Sequence, residues 1–311
     1  MIDISIIVPS FNEAESLPHL AEWIDRVMRE NGFSYEVIIV DDGSNDGTWK
    51  VAEQLHEANA CYRGIKFRRN YGKSAALNTG FAAAEGDVVI TMDADLQDSP
   101  DEVPELYRMI KEEGYDLVSG WKKKRYDSKI AKNIPSKFFN WTTRRLSGIY
   151  LHDFNCGLKA YRHDVVKSIE VYGEMHRYIP VIAKWAGFGK IGEKVVQHRK
   201  REYGVTKFGM NRFINGYLDL MSIMFMSKFG KQPMHFFGAL GSVAFLFGFA
   251  ALLVVIVLRL AGVMGLTRSV WFYLSMFATL MGTLLFLAGF IGELVCRNST
   301  TRNQYLIEKE L

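Results

Sequence analysis

The chain has 311 residues, enough for one large domain with an appendage or for two smaller ones. Its 38 lysines and arginines against 34 aspartates and glutamates leave a formal charge of +4, so where the charge clusters matters more than its sum. Cys61, Cys156 and Cys296 lack paired or metal-like spacing, which excludes a disulfide framework or cysteine–metal centre and predicts reduced thiols.

The first ten residues carry no basic stretch leading into a long apolar run, so no signal peptide is expected. Ile4-Ser-Ile-Ile-Val8 is β-branched and stops at Pro9, which cannot donate to a ladder; it predicts a strand. Leu17, Leu20, Trp23, Ile24 and Val27 share one face of a helix expected over about residues 15–30. A second strand follows at 36–40 and ends at Asp41-Asp42-Gly43-Ser44. Asn45-Asp46-Gly47-Thr48 supplies turn and cap residues for a helix to about 57. A third strand is expected at 64–67, an Ala-rich helix at 73–84, and a fourth strand at 87–92. This alternation is that of an α/β fold with a mainly parallel sheet covered on both faces. Beyond Gly120 the pattern loosens into basic sequence, with Phe138, Phe139 and Trp141 among the lysines and arginines of 122–145. An amphipathic helix is expected over 210–229, leading toward two runs without a charged residue, 236–258 and 269–292. Each run matches the ~20 apolar residues that cross a bilayer. Lys228, Lys231, Arg297 and Arg302 flank the pair and only Arg259 and Arg268 lie between, which favours both ends in the cytoplasm.

Polar clusters fall at three strand ends: Asn12-Glu13, Asp41-Asp42 and Asp93-Ala-Asp95. Ligands of open α/β sheets bind beyond the carboxyl ends of the strands. Asp93 and Asp95, with the Gln97 carbonyl, are hard oxygen ligands suited to Mg2+ or Mn2+ on a substrate phosphate. Asp41 and Asp42 are placed to accept from a ribose hydroxyl or a base N–H, or to cap the following helix. Lys73 opens a helix beside free N–H groups, a site for an anion. The basic group at 122–145 fits a lipid headgroup or acceptor phosphate better than a nucleic acid, because it is interleaved with aromatics in a chain tied to a membrane.

Val8-Pro-Ser-Phe-Asn-Glu13, Val40-Asp-Asp-Gly-Ser44, Asp46-Gly-Thr48 and Met92-Asp-Ala-Asp-Leu-Gln-Asp-Ser-Pro100 together resemble family 2 glycosyltransferases of GT-A fold. Within that family the chain is most similar to the polyprenyl-phosphate group: dolichol-phosphate mannose synthases, bactoprenol glucosyltransferases and aminoarabinose transferases. The resemblance covers essentially the whole chain. It implies that Pro9, Asn12, Glu13, Asp41 and Asp42 line a nucleotide pocket with Lys73 nearby. It implies that Asp93, Asp95 and Gln97 hold the divalent ion, and that Arg125, Lys132 and Ser136 meet the acceptor phosphate. The run from His198 to Lys207 resembles a basic family element, in which Arg201 and Lys207 neutralise phosphates. Glu174-Met-His-Arg-Tyr-Ile-Pro180 resembles a segment near the acceptor, which makes His176 and Arg177 candidate contacts. Two departures stand out. Some relatives carry an Asp where this chain has Gly157, and the family usually has Arg where Lys159 stands. The nearest carboxylate to a missing base is Asp153, expected to orient rather than to accept a proton.

The expected organisation is a cytoplasmic GT-A catalytic domain (1–209), a juxtamembrane segment (210–235), a two-helix transmembrane hairpin (236–293) and a cytoplasmic tail (294–311), in a bacterial inner membrane. The expected reaction is inverting transfer of one sugar from a nucleotide-sugar to a polyprenyl phosphate. Asp95, Asp153, Arg125 and Arg201 are expected nearest the chemistry. UDP-glucose is the first donor expected, ahead of GDP-mannose and modified UDP-sugars. The partners expected are the donor, the lipid acceptor and membrane lipid, with no nucleic acid and a homodimer or homotetramer by family analogy. Competing readings are a membrane-tethered nucleotide-sugar-binding regulator, a family 2 transferase with a non-lipid acceptor, and a lipid-phosphate flippase, the last disfavoured by spans without charge.

Overall fold

The computed structural model describes residues 2–123, 141–145, 147–199, 232–262 and 269–297, together with Met221, Ser222, Phe225, Phe229 and Gly265. Two units form, Met1–Met221 and Ser222–Leu311.

In the first unit strands and helices alternate through β1 (Ile4–Ser10), α1 (Leu17–Asn31), β2 (Tyr35–Asp41), α2 (Thr48–Ala58), β3 (Tyr62–Lys66), α3 (Lys73–Ala83) and β4 (Val88–Thr91). Then come α4 (Val103–Lys111), β5 (Leu117–Trp121), β6 (Lys159–Arg162), α5 (His163–Ser168), α6 (Ile179–Trp185) and β7 (Ile191–Val195). The seven strands form one sheet in the order β3-β2-β1-β4-β6-β5-β7. β1 to β4 are parallel, β6 runs antiparallel to both β4 and β5, and β7 is parallel to β5.

The central strands are buried on both faces, as their unbroken apolar runs require. Ile4, Ile6, Val8, Val37, Ile39, Val88 and Ile90 share a core with the inner faces of α1 and α4. α1 starts with Pro18 in its first turn and ends at Gly32, whose φ of 68° lets its N–H and that of Phe33 reach back to Arg29 and Met28 carbonyls. On the other face α3 approaches β1 so closely that a Cβ at Gly80 would meet the Ile7 Cγ2 at 2.4 Å. β3 begins two residues earlier than the sequence predicts. Tyr62 fills the core there, with its hydroxyl 3.0 Å from Ala21 O and 2.7 Å from Asp25 Oδ1.

The second unit holds α7 (Pro233–Leu260) and α8 (Val270–Arg297). Both are long and apolar enough to cross a membrane, with mean hydropathies of 2.7 and 2.0, and both leave most of their surface open. They pack on each other through glycines. A Cβ at Gly241 would lie 2.7 Å from Gly282 O, one at Gly248 2.5 Å from Thr279 N, and one at Gly289 3.0 Å from Gly238 N. These glycines thus serve contact within one chain. Most of the amphipathic segment expected at 210–229, and the tail beyond 297, lie outside the described residues.

Candidate active site

Register places the site. Ser10 is level with Asp41, and Ile7 with Thr91, so the loops after β1, β2 and β4 leave the sheet along one edge. Because β6 is reversed, its first residue, Lys159, lies level with Thr91 at that same edge.

The loops after β1 and β2 are stitched together. Asn12, in a left-handed conformation (φ 57°), accepts the Asn45 amide on Oδ1 at 2.9 Å and donates its own N–H to Ser44 Oγ at 2.9 Å. The Glu13 amide donates to Thr48 Oγ1 at 2.9 Å, and its carboxylate accepts the Ser16 hydroxyl at 2.9 Å. Pro9, where the sequence predicts the strand to stop, lies half-buried inside β1 instead, level with Val40, and the strand runs on to Ser10. Asp41 is fully buried. Its Oδ1 accepts the Ser44 amide at 2.9 Å, but Oδ2 is buried without a hydrogen-bond partner. An orphaned buried acceptor costs about 1–3 kcal/mol, which marks Oδ2 as a place for an incoming donor. Asp42 has a different task. Its carboxylate accepts the Tyr71 amide at 2.6 Å and the Gly72 amide at 2.9 Å, fixing the loop that opens α3. Burial raises the Asp42 carboxyl above its ordinary value, and those two amides offset only part of the rise.

That loop delivers Lys73 to Asp93, and the two form an ion pair. Burial alone would raise the Asp93 carboxyl, but the ammonium groups of Lys73, Lys122 and Lys159 outweigh it and hold Asp93 well below the usual carboxylate range. Asp95 is nearly buried, and its Oδ1 accepts the Gln97 amide at 3.2 Å across Leu96, a non-glycine residue at φ 59°. Strain of this kind, about 1–3 kcal/mol, persists only where surrounding structure imposes it. Here the Arg199 amide donates to Gln97 O at 3.0 Å, and the Arg199 guanidinium lies 4.1 Å over Trp23. Buried Asp98 pairs with Lys122 Nζ at 2.7 Å. The segments entering 124–140 and 200–220 are therefore anchored on the Asp93–Asp98 loop. Arg125, Lys132, Ser136, Arg201 and Lys207 themselves lie outside the described residues.

A divalent ion fits this loop. Among the described residues no group of three His, Cys, Asp or Glu side chains is gathered to hold a metal alone. The chain offers two carboxylates and the Gln97 amide, the partial oxygen set that Mg2+ or Mn2+ takes when substrate phosphates complete it.

Against β4 and β6 lies a small cleft of about 20 Å³, lined by Lys73, Thr91, Asn155, Gly157, Lys159, Tyr161, His176 and Arg177 among others. Gly157 abuts Asp93: a Cβ there would lie 2.5 Å from Asp93 Oδ2, so a side chain at this position is incompatible with the carboxylate as it stands. Lys159 is almost wholly buried, with its ammonium on Cys156 O. Burial pushes that ammonium below its ordinary value, although nearby Cys156, Asp153 and Asp93 act against the fall. Ser74 Oγ lies 3.0 Å from His176 Nδ1 and accepts the His176 amide at 3.1 Å, and Arg177 lies 3.5 Å from Glu174. Asp153 is buried outside the cleft lining and accepts the Asn155 amide at 3.0 Å. Thr91, Asn155 and Tyr161 were not expected from sequence. Lys159 and Tyr161 share a face by the period of two, a signal readable only once β6 is known to be a strand.

Residues 5–170 match the family model described as glycosyl transferase family 2. The chain belongs to this family. It is a glycosyltransferase with the GT-A arrangement of a mostly parallel sheet. The family 2 relatives include the dodecaprenyl-phosphate galacturonate synthase of Rhizobium johnstonii, 38% identical over 83% of this chain and 76% of the relative. They also include the undecaprenyl-phosphate 4-deoxy-4-formamido-L-arabinose transferase of Klebsiella pneumoniae (strain 342), 32% identical over 98% of this chain and 93% of the relative. Both are polyprenyl-phosphate glycosyltransferases, the group the sequence motifs resemble. Among solved structures, glucosyl-3-phosphoglycerate synthase from Mycobacterium tuberculosis in complex with UDP shares the fold. Its TM-score is 0.55 at 20% identity, covering 73% of this chain and 80% of that one. The same synthase has been solved with Mn2+ and UDP-glucose at a TM-score of 0.54.

Proposed function

We propose that this chain transfers a single sugar from a nucleoside-diphosphate sugar to a polyprenyl phosphate at a membrane surface, with inversion at the anomeric carbon. One observation carries the reading: the orphaned Asp41 acceptor, the Asp93–Asp95 loop and the cleft at Lys159 lie in that order along one edge of the sheet. That is the order of base or ribose, diphosphate and sugar in a donor laid across the strand ends. Asp41 accepts from the nucleoside, while Pro9, Asn12, Glu13 and Asp42 shape its pocket. Asp93, Asp95 and Gln97 hold Mg2+ or Mn2+, which when bound screens the charge of the leaving diphosphate. Lys73, at the start of α3, is shared between Asp93 and that diphosphate.

An oxygen of the lipid phosphate forms the new bond to the anomeric carbon as the bond to the diphosphate breaks, and the electron pair leaves with the nucleotide. A phosphate monoester is already mostly ionised at pH 7, with a second pKa of about 6, so no base is required. Asp153 orients residues 155–157. Arg125, Lys132, Ser136, Arg201 and Lys207 meet the acceptor phosphate. α7 and α8 insert in a bacterial inner membrane, with the catalytic unit and both termini on the cytoplasmic side and a homodimer or homotetramer as the assembly. The two relatives are named for different sugars, so likeness alone leaves the sugar open; UDP-glucose is the donor proposed first, ahead of GDP-mannose and modified UDP-sugars.

The test is transfer by the detergent-solubilised full chain to undecaprenyl phosphate, with Mg2+ or Mn2+ and labelled UDP- and GDP-sugars. Label in the lipid fraction, abolished by chelator and reduced about 100- to 1,000-fold in Asp95→Ala, is expected. Folded protein that binds nucleotide yet labels no lipid with any donor sinks the reading.

A further inference from the structure

The Asp93–Asp98 loop carries its own counter-cations. Lys73 is ion-paired with Asp93, and Lys122 Nζ lies 2.7 Å from buried Asp98. The Lys159 ammonium sits close by, on the Cys156 carbonyl. Lys73, Lys122 and Lys159 all act on Asp93. The carboxylates of Asp93, Asp95 and Asp98 are thus largely balanced by lysines of the same chain, and a balanced site exerts little pull on a further divalent cation.

Access to Asp93 is also narrow. Gly157 closes one face of its carboxylate, since a Cβ there would lie 2.5 Å from Oδ2 and 2.9 Å from Oδ1. Lys73 Nζ holds Oδ1 from another side. A hard cation that takes Asp93 as a ligand therefore meets an ammonium already on the carboxylate. Two cations on one carboxylate repel each other, and a partly buried site screens that repulsion less than water does.

Of the three lysines, Lys73 is the one placed to leave. Lys122 is largely buried against Asp98 and Lys159 is almost wholly buried, whereas the Lys73 side chain is 29% exposed. Its backbone is held, because Asp42 accepts the Tyr71 and Gly72 amides just before it. Movement is left to the side chain, at the start of α3, where free helical N–H groups favour an anion. A diphosphate arriving there offers the ammonium a second, more highly charged partner.

We infer that Lys73 is an internal cation that competes with the divalent ion for Asp93, and that the donor's diphosphate relieves the competition by drawing Lys73 to itself. Metal binding is thereby conditional on the donor, and without nucleotide the site discriminates against free Mg2+ or Mn2+. The inference rests on the reading of Asp93 and Asp95 as metal ligands beside a nucleoside diphosphate. It adds a coupling between those two ligands, transmitted by Lys73. By linkage the coupling is reciprocal, so the metal tightens the nucleotide by the factor by which the nucleotide tightens the metal.

The experiment measures Mn2+ binding to the full chain in detergent, alone and with UDP or GDP, by loss of the free-ion electron paramagnetic resonance signal. Specific binding is the part abolished in Asp95→Ala. Lys73→Met is expected to bind Mn2+ alone about 10- to 100-fold more tightly than wild type, the range of one charge-assisted contact, and to gain less from nucleotide. Lys73→Arg keeps a cation on Asp93 and stays near wild type. Tighter binding is a result that a misfolded variant does not give. Equal Mn2+ affinity with and without a nucleotide that binds the wild-type chain overturns the inference, and this comparison needs no variant. Lys73→Met with a wild-type thermal midpoint and no gain in Mn2+ affinity overturns it as well. Tighter Mn2+ binding by Lys73→Met, with neither nucleotide bound by the wild-type chain, upholds the competition at Asp93 and overturns the transferase reading alone.

Discussion

At Asp46 a single carboxylate serves two chain segments. It accepts the Thr48 amide at 2.9 Å and the Thr48 hydroxyl, and with its other oxygen the Ala14 amide at 3.2 Å. Burial is the largest single influence and opposes ionisation, but those donors together outweigh it and hold the Asp46 carboxyl below its ordinary value. A depressed carboxyl contributes stability that is fully present above the unfolded value of about 3.9 and is lost as pH falls through the folded value. Asp46→Asn is therefore expected to be less stable than the parent by about 0.5–1 kcal/mol at pH 7, a modest figure because the site is exposed to solvent screening. Unfolding curves of the two proteins should converge below about pH 4; a gap that stays constant with pH refutes the assignment. The roles of neighbouring acids were only half legible. Asp41 and Asp42 were read as a pair from their place after a strand. Their division of labour, one orphaned toward a ligand and one fixing the Tyr71–Gly72 loop, depends on side-chain direction that spacing does not encode. Gly157 looked like a missing catalytic group, yet its role is steric, since it makes room for Asp93.

Elements with period and punctuation were recovered well: β1, α1, β2, α2, α3 and β4 lie where apolar spacing and turn residues put them. β5, β6 and β7 were not. β6 is the four-residue stretch Lys-Ala-Tyr-Arg, too short for alternation to register, and its antiparallel direction is set by neighbours distant in sequence. The functional cost of that blindness is specific, because β6 carries Lys159 into the cleft. The α7–α8 pair makes the opposite point. Both helices were plain from composition, but whether their glycines met within the chain was open until the structure set Gly248 against Thr279 and Gly241 against Gly282. Substituting Gly248→Leu would force these backbones apart and is expected to cost about 1–3 kcal/mol, lowering the thermal midpoint of the full chain in detergent by several degrees. Leu246→Ala, on a side chain that is 64% exposed, is the control and should leave the midpoint in place. Equal midpoints for all three proteins would remove the glycine contact from the account of the hairpin.

The whole chain joins a sheet built for nucleotide chemistry to two helices whose surfaces are largely bare of protein. Leu246, Phe247, Val257, Trp271, Phe277 and Ile291 are among the large apolar side chains left open, more than water tolerates without a second medium. The charges flanking the pair favour one orientation. A fluorescent reporter fused after Leu311 is expected to light in the cytoplasm, and an alkaline phosphatase inserted within residues 261–268 to be active outside it. The reverse pattern would put the catalytic unit on the wrong side for nucleotide-sugars. The reversed strand also has a bearing on how this molecule is made. β4 is finished at Thr91 and its sheet partner β6 starts at Lys159, roughly 70 residues later on the ribosome. At about 5–20 residues per second the nascent chain spends several seconds with the β4 edge uncapped, the state most open to mispairing. β5 emerges inside that interval and has no legitimate neighbour until β6 arrives to separate it from β4. Translation speed between residues 92 and 158 thus bears on the yield of correctly assembled enzyme while leaving the finished enzyme's properties untouched.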